Sequence, residues 1–194
     1  MSDFPFPHEG IILDACCIIN LYASGYMQRI LVSIPKKVSV AAFVCDVEAS
    51  KIYSGPEEDI MGETELINLQ PFVEKKLLQI VSPENEAEEN TIVNFSSAAA
   101  IDSGEAITAA IALHRQWSLG TDDRTATAFF MRKVPKLHLV STLDILKHWA
   151  DTMCPPLTTI KIAMNNIQNR ARYRPHYKHH LYEWWNDTMT FDLN

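Results

Sequence analysis

The sequence predicts an α/β protein: a three-layer α/β/α sandwich around a mainly parallel sheet, followed by a helical C-terminal extension. Short apolar runs alternate with helical patterns over residues 10–150, and acids follow several of these runs directly. Strands that alternate with helices favour right-handed crossovers and a parallel sheet covered on both faces. We expect one domain over residues 1–150 and a basic, aromatic extension over residues 151–194.

The first strand and helix lie in the stretch 10–21. The apolar run 11–13 is followed at once by Asp14, and apolar residues continue at helical spacing around Asn20. This pattern predicts a buried strand, a turn at Asp14 and a helix that ends near Gly25. In open α/β sheets ligands collect beyond the carboxyl ends of the strands, which makes Asp14 a first candidate for chemistry.

The remaining elements follow from periodicity, prolines and caps. A polar, acidic interval at 53–71 with Gly55-Pro56 and Gly62 is expected to be loop and partial helix. The other expected elements are helix 27–32, strand 38–40, helix 41–52, helix 72–76, strand 77–81, a helix from 82–85 through 98, a helix beginning near 102, strand 117–121, helix 125–131, strand 137–141 and helix 142–150.

Composition indicates an ordinary soluble globule. The net charge is −7, so the whole chain is no polycation, and a nucleic-acid partner would need a local basic patch. The four cysteines show no metal-binding spacing, and we expect buried, reduced thiols. The N-terminus lacks the pattern of a secretory signal, and no apolar run reaches about 18 residues. These features predict a cytoplasmic protein with no membrane partner.

Acids from distant parts of the chain are expected at one edge of the sheet. Asp14, Asp122 and Asp123 follow strands, and the helix that begins near Asp102 can present Glu105 to them. Each also has a structural interpretation. Asp14, Asp122 or Asp123 would cap a helix, the pair Asp102 and Glu105 fits a capping box, and Glu48 would be a solvated helix charge.

Together, however, clustered carboxylates raise one another's pKa unless a cation lies among them. Hard oxygen ligands without a Cys or His set favour Mg²⁺ or Mn²⁺. Such an ion lowers the pKa of bound water and stabilises charge on a phosphoryl oxygen. The cluster therefore points to cleavage of a phosphodiester.

The acidic segments resemble, in order and spacing, the four motifs of the PIN-domain family, which includes the VapC-type toxin ribonucleases. The resemblance covers about residues 10–150. Its more specific elements are the segments around Glu105 and Asp123. The matching segments are Leu13-Asp14, Glu48, Asp102-Ser103-Gly104-Glu105-Ala106, Thr121-Asp122-Asp123-Arg124 and the closing strand and helix 139–146. The resemblance implies a three-layer sandwich and a Mg²⁺- or Mn²⁺-dependent endoribonuclease that cleaves RNA with metal-activated water.

The resemblance also implies roles for individual residues. It assigns Asp14, Glu105 and Asp123 to metal binding and catalysis, with Asp122 among the metal-site acids. Glu48 matches the remaining catalytic acid, with Asp46 as an alternative. In support of these acids, Thr121 would orient a carboxylate or water, and Asn20 would hydrogen-bond near the first acid.

Two departures from the family pattern stand out. Ala15 follows the first acid where many relatives have a hydroxyl side chain, and the chain between Glu48 and Asp102 is longer than in compact toxins. The implied partners are an RNA substrate, a small antitoxin and a second copy of the chain in a homodimer.

The C-terminal extension carries a local basic and aromatic patch. No Asp or Glu occurs from Thr152 to Tyr182, whereas basic residues alternate with His and Tyr. Such a segment can grip phosphates and stack on unpaired bases. Alternatively it is a solvated basic face or pairs with the acidic interval 53–71 or another subunit. The candidate RNA-binding residues are Arg124, Arg170, Arg172, Arg174 and Lys178.

Three hypotheses follow for the function. The first is a metal-dependent ribonuclease, with the toxin of a toxin–antitoxin pair as one form of it. The second is a catalytically inactive PIN-like module that binds RNA or protein. The third, another Mg²⁺ phosphotransfer domain, is weakened because the first strand ends in Asp14-Ala15-Cys16, without a second Asp two residues on.

Overall fold

A five-stranded parallel sheet forms the centre of the computed structural model, which describes residues 7–55 and 63–191. The strands are β1 (Gly10–Leu13), β2 (Lys37–Ala41), β3 (Lys51–Tyr53), β4 (Thr64–Leu66), β5 (Gln79–Val81), β6 (Ser118–Gly120) and β7 (Leu139–Val140). The order in the sheet is β5-β2-β1-β6-β7, with every neighbouring pair parallel. Strands β3 and β4 pair antiparallel as a separate ribbon.

Helices flank the sheet, an arrangement compatible with the expected three-layer sandwich. They are α1 (Ala15–Ala23), α2 (Met27–Ser33), α3 (Gln70–Glu74), α4 (Glu86–Ser96), α5 (Ser103–Arg115), α6 (Arg124–Lys133), α7 (Thr142–Met153), α8 (Leu157–Arg170) and α9 (Tyr182–Thr190). The expected α/β class with a parallel sheet is therefore confirmed. None of the helices in the described ranges combines the length and the apolar character that a bilayer crossing requires.

Strand β1 lies at the middle of the sheet and of the core. Ile11, Ile12 and Leu13 are all inaccessible to solvent, because a central parallel strand is covered on both faces. The continuous apolar run in the sequence is the direct consequence. The chain turns out of this strand at Asp14, at the carboxyl edge of the sheet.

The expected helix over residues 41–52 is confirmed only for residues 42–48, and its continuation to residue 52 is wrong. A π-helical turn at Val44–Glu48 follows β2, and Ala49 N donates to Val44 O over 2.8 Å to close it. Residues Lys51–Tyr53 then alternate exposed, buried and exposed, which suits the strand β3. Its partner β4 lies in the interval 53–71 that was expected to be loop and partial helix. Residues 56–62 of that interval lie outside the described residues.

The C-terminal extension packs on the domain through α8. Ile160, Ala163, Met164 and Ile167 are buried at helical spacing, and α8 contacts α1 and β3. The extension thus shares the hydrophobic core of the domain. The four cysteines are free thiols, but the expectation that they are buried is confirmed only for Cys17. Cys16 and Cys45 are half-buried, and Cys154 is exposed.

Candidate functional site

The carboxyl ends of β1, β6 and β7 align at one edge of the sheet. Asp14 N donates to Gly120 O over 2.8 Å, and Thr121 N donates to Val140 O over 2.9 Å. These bonds continue the parallel ladders by one residue and place Asp14 beside Thr121. The edge predicted from the alternation of strands and helices therefore exists.

Asp14 occupies the N-cap position of α1 but does not cap it. Its side chain is only 5% exposed. Oδ2 accepts weak hydrogen bonds from Thr121 Oγ1 at 3.4 Å and Cys16 Sγ at 3.5 Å, whereas Oδ1 has no hydrogen-bond partner among the described residues. Burial raises the pKa of Asp14 to about 6, although the nearby Ala15 amide and the Cys16 thiol lower it.

The capping box at the start of α5 is present. Asp102 N donates to Glu105 Oε2 over 3.0 Å, and Glu105 N donates to Asp102 Oδ1 over 2.8 Å. Burial, followed by the negative charges of Asp102, Asp123 and Asp14, nevertheless raises the pKa of Glu105 to about 7. The capping box therefore uses one oxygen of Glu105. The raised pKa shows that the surroundings disfavour the charged form of this carboxyl group.

Glu48 reaches the same place from the end of the π-helical turn. A Cβ atom at position 104 would overlap its carboxylate, so Gly104 gives Glu48 the space it occupies. Burial and the charges of Asp102 and Asp14 raise the pKa of Glu48, against a hydrogen bond from the Gly104 amide. Asp46, the alternative acid, is exposed. Glu48 is thus the acid of this turn that faces the others.

Asp123 caps α6 with one oxygen. Its Oδ1 accepts hydrogen bonds of 2.7 Å from Thr125 N and Ala126 N, while its Oδ2 accepts none from the described residues. We use "acidic cluster" for the five carboxylates whose charges act on one another. Ion pairs formed between described residues involve no member of it. The acidic cluster consists of Asp14, Glu48, Asp102, Glu105 and Asp123.

Asp122 is fully engaged in hydrogen bonds beside the acidic cluster. Its oxygens accept from Asn20 Nδ2 at 2.9 Å, from Thr142 N at 3.0 Å and from Tyr173 OH at 3.2 Å, and also from Thr142 Oγ1. Asn20 therefore supports Asp122 and not the first acid, because it lies on the face of α1 that meets the start of α7. These donors fix the loop that carries Asp123.

The described residues contain one compact group of candidate metal ligands, Cys16, Cys17 and Asp122, whose ligand atoms lie within 4.8 Å of one another. Burial raises the pKa of the Cys17 thiol well above its usual range, which disfavours the thiolate form that binds metals. The acidic cluster is more widely spaced than this group. Its oxygens suit an ion that keeps part of its water shell, as Mg²⁺ usually does.

The five candidate RNA-binding residues divide into two groups. Arg170 donates to Ala23 O over 3.1 Å and pairs with Glu65, and Arg172 lies 4.4 Å from the ring centroid of Tyr53. These two hold the extension to the ribbon of β3 and β4, as the alternative of pairing with the interval 53–71 predicts. The other three, Arg124, Arg174 and Lys178, line a groove beside Asp122.

Three residues at the site were not expected from the sequence. Gly104 is part of the quoted motif, but its role as space for Glu48 needs the fold. Thr142 was noted only as the start of a capped helix, and it also binds Asp122. Tyr173 carries no sequence signal of its contact, because 51 residues separate it from Asp122.

Comparison with known proteins gives no further assignment. No family model, no curated protein and no solved structure matches the chain. Statements about function therefore depend on the geometry of the site.

Proposed function

We propose that this protein is a Mg²⁺- or Mn²⁺-dependent endoribonuclease of the PIN type that uses the acidic cluster. Asp14 is the observation that carries the proposal. A carboxyl group that is 5% exposed, with an oxygen lacking a hydrogen-bond partner among the described residues, costs stability unless something binds it. Selection for function is the usual reason why such a cost is retained.

The residues present fit a hard divalent cation. Asp14, Glu105 and Asp123 would hold it, with Glu48 at the rim, because each of the first three has an oxygen that accepts no hydrogen bond from the described residues. Carboxylate oxygens are the ligands that Mg²⁺ and Mn²⁺ prefer. Burial is the main cause that raises the pKa of Glu105 to about 7, and positive charge here would relieve the repulsion from Asp102, Asp123 and Asp14 that adds to it.

The chain's own residues prepare this site for hydrolysis. Asp14 and Glu105 bind as carboxylates, and their raised pKa values mean that ion binding releases protons near neutral pH. Thr121 holds Asp14 Oδ2, and the donors to Asp122 hold the loop of Asp123. A bound divalent cation supplies a lowered pKa for water and stabilisation of charge on a phosphoryl oxygen.

Cleavage of RNA by matched variants tests this function. The purified protein is incubated with unstructured and hairpin RNAs in Mn²⁺, Mg²⁺ or EDTA, beside Asp14→Asn and Glu105→Gln. We expect each substitution to lower the rate by at least about 100-fold, because loss of a group that only supports a metal ligand already costs about 10- to 100-fold. Asp151→Asn, which removes an exposed acid on α7, is the matched control and should cleave like the wild type.

The outcomes separate the hypotheses. Equal cleavage by the wild type and Asp14→Asn would assign the activity to a contaminant and overturn the proposal. Mn²⁺ binding without cleavage of any RNA would favour the alternative of a binding module. The toxin role with a small antitoxin, which the resemblance implies, belongs to the same proposal and requires cleavage first.

A further inference from the structure

A groove of about 990 Å³ lies between α6, the β7–α7 junction and the segment 173–182. We call it the C-terminal groove. It includes Thr121 and Asp122, and Thr121 contacts Asp14, so the groove opens directly beside the acidic cluster. Its charged and aromatic lining residues are Asp122, Arg124, Asp144, Tyr173, Arg174, His176, Tyr177, Lys178, His179, His180 and Tyr182.

The C-terminal groove concentrates positive charge in an otherwise acidic chain. Arg124, His176 and Lys178 line the same groove, and partial desolvation followed by the charges of Arg124 and Lys178 lowers the pKa of His176. Arg124 begins α6 and Lys178 belongs to the extension, so the fold brings them together from distant parts of the sequence. Asp144 is the second acid of the groove, and it is paired with His180 at 2.8 Å.

Aromatic rings stand beside these cations. Tyr177 is 65% exposed, and its ring centroid lies 4.3 Å from that of His176 and 5.7 Å from Lys178 Nζ. An exposed ring next to cations suits a base that stacks while its phosphate is bound. Base faces are accessible in single strands and hidden in a duplex.

The wall formed by the extension is held by contacts with the domain. Tyr173 donates to Asp122, and His179 Nε2 lies 2.9 Å from Ser141 Oγ. Together with the pair of His180 and Asp144, these contacts attach the segment at the start of α7. A wall that is already ordered lowers the entropic cost of binding a flexible strand.

We propose that the C-terminal groove binds single-stranded RNA and leads it to the acidic cluster. Arg124 and Lys178 contact phosphates, and Tyr177 stacks on a base. The inference rests on the proposed function for the identity of the strand as RNA and deepens it by naming the unpaired strand as the substrate and the groove as its path.

Binding without a divalent ion tests the groove separately from cleavage. Fluorescence anisotropy in EDTA measures the Kd of a labelled, unstructured 12-nucleotide RNA at several salt concentrations, beside a duplex of the same length. For Arg124→Ala/Lys178→Ala we expect at least about tenfold weaker binding, and a log K against log salt slope less negative by about 1.4, or about 0.7 for each lost phosphate contact. For Tyr177→Ala we expect weaker binding by about 5- to 100-fold with an unchanged salt slope.

The matched control removes two charges from the opposite edge of the sheet. Lys37 is the first residue of β2 and Lys136 precedes β7, and both are exposed. Lys37→Ala/Lys136→Ala should therefore retain the wild-type Kd and slope. Circular dichroism and the Tm establish that each variant is folded.

Four results would overturn the inference: the control weakens binding as much as Arg124→Ala/Lys178→Ala, the duplex binds as tightly as the single strand, no variant changes the Kd, or an acidic peptide binds in place of RNA. If the groove variants still cleave RNA and their Kd is unchanged, the RNA-binding role of the groove is overturned, but the proposed nuclease activity is not. If the groove variants bind RNA more weakly but no protein cleaves it, the proposed nuclease activity is overturned, but the RNA-binding role of the groove is not.

Discussion

Tyr173 OH donates a hydrogen bond of 3.2 Å to Asp122 Oδ1, which joins the C-terminal extension to the loop that carries Asp123. Burial and the charge of Asp122 raise the pKa of Tyr173, so its hydroxyl remains a donor. Asp122 in turn accepts from Asn20 on α1 and Thr142 on α7. Two helices, α1 and α7, and the extension thus donate hydrogen bonds to one carboxylate next to the acidic cluster.

Tyr173→Phe tests whether this bond positions the site. The substitution keeps the ring and removes one donor to a charged group, so we expect the free energy of unfolding to fall by about 1–2 kcal/mol. The affinity for Mn²⁺ and the cleavage rate should fall as well, because the loop of Asp123 loses a support. Urea denaturation, Mn²⁺ titration and RNA cleavage measure the three effects. Tyr26→Phe, at a half-buried ring that packs against Trp149 away from the C-terminal groove, is the control, and equal effects of both substitutions would contradict the positioning role.

Asp14→Asn should separate stability from activity. An increase in the pKa of Asp14 from 3.8 to about 6 corresponds to at most about 3 kcal/mol of destabilisation by the ionised carboxylate. Without added ion at pH 8, we therefore expect Asp14→Asn to have a higher Tm than the wild type, while it loses cleavage and Mn²⁺ binding. Thermal unfolding in EDTA and in Mn²⁺ measures the difference.

The control for this substitution is the exposed acid Asp151. Asp151→Asn should leave the Tm in EDTA nearly unchanged, because its pair with Lys147 lies at the surface. A lower Tm for Asp14→Asn at pH 8 would show that the carboxylate stabilises the ion-free fold, which contradicts the argument from burial.

The sequence predicted the position of residues that directly follow a strand, because parallel strands all end at the same edge of the sheet. The run 11–13 and the alternation of strands and helices predicted the buried β1 and the edge at which Asp14 meets Thr121. Periodicity overestimated the length of the helix that begins at residue 42. That helix ends in a π-helical turn at Glu48, and the short strand β3 follows where the helix was expected to continue. The contact between Tyr173 and Asp122 could not be predicted from the sequence. It depends on how the extension packs on the domain, which no local pattern encodes.

The ion-free protein should lose stability as pH rises from about 4 to 8. The carboxyl groups of Asp14 and Glu105 keep their protons to about pH 6 and 7 when folded, but release them near pH 4 when unfolded. The folded state therefore binds more protons over this interval, and the free energy of unfolding falls with increasing pH.

Urea denaturation at pH 5 and pH 8 in EDTA measures this loss, and saturating Mn²⁺ should restore most of it at pH 8. The double variant Asp14→Asn/Glu105→Gln should show a flatter pH dependence that Mn²⁺ does not change. The same slope in the wild type and this variant would assign the pH dependence to other groups.

Gly104 and Glu48 should show strong coupling. At the start of α5, Gly104→Ala would ordinarily favour the helix, but here the added Cβ overlaps the Glu48 carboxylate and displaces it. We expect Gly104→Ala to lower the free energy of unfolding by about 1–3 kcal/mol, as overpacking does, and to lower the cleavage rate. In the background Glu48→Ala, which removes the overlapping group, the same substitution should be neutral or stabilising by up to about 1 kcal/mol. Urea denaturation of the wild type, the two single variants and the double variant gives the coupling energy of this double-mutant cycle. Additive effects would mean that Glu48 does not lie against Gly104.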